Sequence, residues 1–168
     1  NTVITGVIAL NGIMPISIGG SGFGGIVTAD FISDNGAVIY AGIDEKRFIG
    51  SIIDRDSIYN TYEISTRQII NRQVNDVAMT VLPHAPIDAA TGLPIPTIAV
   101  ATNGGVSVIK DDGTVVDITV NNANYTHAHK VDFLNDNSLG MSIGVTNGIA
   151  QESYYIFNSI PTTDNVIT

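Results

Sequence analysis

Short apolar runs, each broken within a few residues by Gly, Asn, Asp or Pro, fill this chain, and none is long enough for a helix of ordinary length. The runs predict strands near 26–32, 37–42, 47–53 and 59–65, then 76–82, 97–102, 105–110 and 114–120, then 129–134, 138–144, 152–158 and 164–168. Val, Ile and Thr dominate them, and β-branched side chains fit a pleated surface better than a helix. Tight turns are expected at Asn35-Gly36, Asn103-Gly104, Asp112-Gly113 and Asn147-Gly148, where positive φ is tolerated.

The strands fall into three groups of four. Asp30-Phe31-Ile32-Ser33-Asp34-Asn35-Gly36 recurs as Asp132-Phe133-Leu134-Asn135-Asp136-Asn137-Ser138, each followed by a small, apolar run. Val77-Ala78-Met79-Thr80-Val81 ahead of Thr97-Ile98-Ala99-Val100-Ala101 supplies the middle copy. Glu63-Ile64-Ser65, Asp117-Ile118-Thr119 and Val166-Ile167-Thr168 close the three units with the same apolar-to-hydroxyl ending. A β-rich unit repeated at this spacing predicts a propeller or solenoid. The single domain 1–168 divides into units at about 24–65, 74–120 and 128–168, and Val3-Ile4-Thr5 reads as the last strand of a preceding unit. With no Met at position 1, this predicts a segment of a longer polypeptide. Ser17 to Ile26 reads as a Gly-rich loop, and Pro83 to Pro96, with four prolines, as an inserted loop that cannot continue a ladder.

The order of pieces resembles the WD40-like propeller repeat, in which an apolar strand leads into a Phe-x-x-Asp-Gly-like phrase, a small-residue strand and an Asp-Gly turn. Phe31 to Gly36 followed by Ala37 to Gly42 carries the resemblance, as does Thr97 to Gly105 followed by Val106 to Ile109. The Trp-Asp dipeptide is missing, since the chain holds no Trp; Ile109-Lys110 and Phe157-Asn158 stand in its place. The resemblance implies an all-β fold of three four-stranded antiparallel blades belonging to a larger β-propeller, because closed rings take about four to eight blades. Pro94 to Val116 is similar to propeller repeats of bacteriophage tail or fibre proteins, which implies a structural or interaction module of a virion, in assembly or host attachment. A carbohydrate-binding propeller lectin and a propeller enzyme such as a glycosidase are the alternatives.

Composition narrows the chemistry. Only 7 Lys and Arg stand against 16 Asp and Glu, giving a net charge of −9 with no basic run, which argues against nucleic acid and anionic membrane as partners. The absence of Cys removes disulfides, thiolate metal sites and Cys nucleophiles. Gly20-Ser21-Gly22-Phe23-Gly24-Gly25 matches a dinucleotide fingerprint, but a strand rather than a helix follows it. Asn124-Tyr125-Thr126 is a glycosylation triplet of the kind chance supplies in an Asn-rich chain. Asp34, Asp54, Asp56, Asp111, Asp112 and Asp136 fall in turns, where carboxylates bond backbone N–H groups. Tyr40, Tyr59, Tyr62, Tyr154 and Tyr155 lie inside strand patterns and are expected in the core.

The expected function is therefore binding without catalysis and without a cofactor. The inserted loop, through His84, Asp88, Thr91 and Leu93, is the expected recognition element, because loops on a rigid scaffold carry recognition. No metal is expected; His127, His129 and Asp132 are the residues from which a site would be built, since residues two apart on a strand share a face. Partners are other protein subunits or further units of the same polypeptide, with a host surface glycan as a further candidate.

Overall fold

The computed structural model describes residues 13–18, 24–30, 32, 35–48, 62–145 and 152–168. Thirteen strands and no helix occur among them. In chain order they are β1 (Ile13–Ile18), β2 (Gly25–Asp30), β3 (Asn35–Tyr40), β4 (Glu45–Phe48), β5 (Tyr62–Ser65), β6 (Val74–Thr80) and β7 (Thr97–Thr102). There follow β8 (Gly105–Ile109), β9 (Val115–Val120), β10 (His127–Phe133), β11 (Leu139–Gly144), β12 (Glu152–Phe157) and β13 (Asn165–Ile167). They form three sheets, ordered β1-β2-β3-β4-β5, β13-β9-β8-β7-β6 and β10-β11-β12. Neighbours are antiparallel except β13, which runs parallel to β9 from Asn165↔Ile118 to Ile167↔Val120.

The second sheet is the wall shared by two cores. Towards the first sheet it turns Val77, Ile98, Val100 and Ile109, which pack with Ile26, Ile39 and Ile69. Towards the third it turns Ala78, Ala99, Ala101, Val106, Val108, Val116 and Ile118, which pack with Ala128, Val131, Leu139, Met141 and Ile143. Every residue of β7 and β8 is buried, which is why both read as near-continuous apolar runs rather than alternating ones. Each fully buried Val or Ile contributes about 1.5–3 kcal/mol relative to exposure. The small Ala99 and Ala101 let β10 lie close over β6 and β7.

Polar bonds fix the spacing between sheets. β6 and β10 each carry a ladder irregularity, between Val74 and Asp76 and between Ala128 and Lys130. From these, Asn75 Nδ2 donates to the Ala128 carbonyl at 2.8 Å, the Val131 N–H donates to Asp76 Oδ2 at 3.3 Å, and Lys130 Nζ stands 3.6 Å from the same oxygen. Between the first two sheets, the Ile69 N–H donates to the Tyr40 carbonyl at 3.0 Å and the Ile70 N–H to Ser107 Oγ at 2.9 Å.

The all-β content agrees with the sequence, but the WD40-like propeller does not. The sheets hold five, five and three strands, not four each, and all three are open. The strand expected to complete the third unit, β13, leaves it and extends the second sheet at β9. The repeat itself slips: Asp30 sits opposite Asn35, whereas Asp132 sits opposite Gly140, so the two copies of the phrase close different hairpins. Part of the expected Gly-rich loop is strand, since β1 reaches Ile18 and pairs with β2. Tyr154, expected in the core, is 75% exposed. Val3-Ile4-Thr5, Asp34, Asp54, Asp56, Tyr59 and Asn147-Gly148 lie outside the described residues.

Candidate functional site

The first and second sheets leave a cleft of about 480 Å³ between them. The ladder of β2 with β3 sets Thr28 opposite Ala37 and Asp30 opposite Asn35, and these four line one wall. Ile98 and Ile109, opposite each other on β7 and β8, line the other. The insertion 83–96 and the hairpin Lys110 to Gly113 close over the top, with Leu93, Pro94, Ile95 and Pro96 presenting apolar surface.

The insertion is built to hold its shape. Pro86 and Pro94 exclude a regular ladder, yet Ile87 and Pro94 form a single antiparallel bridge. The Asp88 N–H donates to the Leu93 carbonyl at 2.9 Å, the Gly92 N–H to the Asp88 carbonyl at 2.8 Å and the Ile95 N–H to the Pro86 carbonyl at 2.8 Å. The Asp88 carboxylate accepts from the Ala90 N–H at 3.1 Å and from Thr91 Oγ1 at 2.9 Å. A loop ordered by its own bonds loses little entropy when a partner arrives.

Both charge signs stand around the cleft. Arg47, Arg67 and Lys110 line it, as do Asp30, Asp88, Asp111 and Asp112. Arg67 is committed to Glu45, which is wholly buried on β4: its Nε donates to Oε2 at 2.7 Å and its Nη2 to Oε1. Lys110 Nζ lies 3.6 Å from Asp112 Oδ2. Asp112 Oδ1 accepts from Thr114 Oγ1 at 2.6 Å and from the Thr114 N–H at 2.8 Å. The Thr114 hydroxyl first, its N–H second and Lys110 after them hold the Asp112 carboxyl below its ordinary range. Asp112 is thus an anion that fixes its own turn and has no proton to give near neutrality.

Of the four loop residues singled out from sequence, Asp88, Thr91 and Leu93 line the cleft; His84 does not, and stands exposed in a turn at φ 68°. Arg47, Arg67, Lys110 and Asp30 were missed, because they come from β4, the connector after β5, the end of β8 and the end of β2, segments that no motif joins. His127 and His129 lie with ring centroids 6.2 Å apart, edge to face, while Asp132 sits further along β10 opposite Gly140. Among the described residues no group of three or more His, Cys, Asp or Glu is placed to hold a metal ion.

Compared with known protein families, curated proteins and solved structures, the chain matches none. With the sheets open and no such match, the assignments to a bacteriophage tail or fibre module, to a propeller lectin and to a propeller glycosidase fall together with the propeller.

Proposed function

We propose that this chain is a non-catalytic binding module that holds an extended segment of a partner protein in the cleft between its first two sheets. The observation that carries this reading is the insertion 83–96: a loop braced by its own backbone bonds over an apolar floor of Ile98 and Ile109. An apolar side chain of the partner fills the space beneath Leu93, Pro94 and Ile95, and Arg47 on one hand and Asp111 on the other orient its flanks. The carboxylates of Asp88 and Asp112 are spent on turns, which favours binding over acid–base chemistry. The net charge of −9 supports a protein partner over nucleic acid or an anionic membrane.

Panning a displayed random-peptide library against the immobilised chain tests this. Enriched peptides should lose about tenfold or more in affinity, roughly 1.4 kcal/mol, on Leu93→Asp and on Arg47→Glu, with the melting temperature of each variant unchanged. The control Ile64→Ser, on the first sheet and outside the cleft lining, should bind as the parent does. No enrichment, or peptides that bind both cleft variants undiminished, would contradict the reading.

A further inference from the structure

The six sheet edges of this molecule are not alike. β1 carries Pro15, which has no N–H to offer a neighbour. β5 is four residues long and β13 three. β6 and β10 are bent by ladder irregularities, and β10 carries Lys130. Short strands, Pro, bulges and Lys are the devices by which proteins blunt an edge. β12 has none of them. Its register with β11 runs unbroken from Leu139↔Phe157 to Gly144↔Glu152, and Glu152-Ser153-Tyr154-Tyr155-Ile156-Phe157 contains no Pro, no Gly and a single charge. Four of its six residues are aromatic or β-branched. Among the described residues no strand pairs with its outer side, because β13 has gone to β9 instead.

The side chains at this edge are also unblunted. Tyr154 and Ile156 are 75% and 64% exposed on one face, beside a shallow groove floored by Gly140 and Ser142 on β11. We infer that β12 pairs antiparallel with β12 of a second copy, joining two three-stranded sheets into one of six strands across a two-fold axis. A two-fold contact demands a strand complementary to itself, and this one is. In the register that sets Tyr154 opposite its own copy, Glu152 lies opposite Ile156, so no like charges meet. The two exposed pairs, Tyr154 and Ile156 from each copy, then form one apolar strip over the axis. This surface belongs to the third sheet and stands apart from the cleft, so it holds whether or not the cleft binds a peptide.

The chain lacks Cys, which makes a cross-linking test clean. Sedimentation of the full chain at about 100 µM, tenfold above a dimer Kd of about 10 µM, should show a dimer. Ile156→Glu, which sets a second carboxylate opposite Glu152 on each side of the axis, should give a monomer with an unchanged melting temperature. Tyr154→Cys under mild oxidation should yield a covalent dimer, and Ile64→Cys on the first sheet should not. A monomeric parent at this concentration overturns the inference. So does a dimer that Ile156→Glu leaves intact, or one that cross-links no better through position 154 than through position 64.

Discussion

Arg67 grips the buried carboxylate of Glu45 with two guanidinium nitrogens, tying the connector after β5 to β4 at the margin of the cleft. Glu45 is wholly buried and Arg67 one-fifth exposed, so the Glu45 carboxylate has no bulk water as an alternative partner.

Arg67→Met should therefore cost roughly 3–5 kcal/mol, the penalty for leaving a buried charge unpaired. Adding Glu45→Leu to it should restore most of that loss. Arg67→Lys should restore little, because a point charge cannot reproduce the two-pronged contact. Urea denaturation reads the result as a midpoint shift at constant slope.

Gly105, the first residue of β8, sits at φ 126°, and a Cβ there would come within 2.2 Å of the Ile118 carbonyl oxygen. Both the backbone conformation and the space demand glycine. Gly105→Ala should destabilise by more than about 1 kcal/mol, whereas Gly113→Ala, where nothing lies within 4 Å of the added carbon, should meet only the strain of φ 84°. Comparing their thermal midpoints separates clash from strain.

Asp117 on β9 is pushed above its ordinary value of 3.8, by burial first and by the charge of Asp164 as well, against the opposing pull of the Ser107 hydroxyl bond at 2.5 Å. Its folded form thus holds the proton to higher pH than the unfolded chain does. The stability it contributes is present below 3.8 and is lost as pH rises through the raised folded value. Asp117→Asn keeps an acceptor for Ser107 and removes the titration. The variant should be the more stable protein at pH 7, and its advantage should vanish below 3.8. An advantage that persists unchanged into acid would contradict this assignment. Asp112 and Asp136 work in the other sense: hydrogen bonds from Thr114 and Ser138 lower both, so what they add is present above 3.8 and is lost as pH falls through their folded values.

Strand existence was legible wherever apolar runs ended in turn residues, as at Thr97–Thr102 and Gly105–Ile109. The turn role of carboxylates was legible too: Asp112 binds Thr114 and Asp136 binds Ser138 in the same way, around Gly113 and Asn137 at φ 84° and 64°. Those two turns, Lys110 to Thr114 and Leu134 to Ser138, share their backbone bonds. They are a local repeat among the described residues, whereas Asp30 and Asp132, alike in sequence, differ in register. Partner choice was not legible. Alternation tells which way a side chain points and not which strand lies beside it, so the departure of β13 to β9 left no mark in the sequence. The cleft was half legible. Its loop announced itself through four prolines, but Arg47, Arg67 and Lys110 reach it from segments that only the stacking of sheets brings together.

That stacking rests on one claim: β7 and β8, at the middle of the second sheet, are buried on both faces and wall both cores. Amide hydrogen exchange followed by mass spectrometry measures it directly. β7 and β8 should exchange slowest of all segments, through global unfolding alone, with β2, β3, β10 and β11 opening earlier and residues 83–96 earlier still. If the β2–β3 or β10–β11 hairpin outlasts β7 and β8, the middle sheet is not the shared wall, and the cleft built against it loses its foundation.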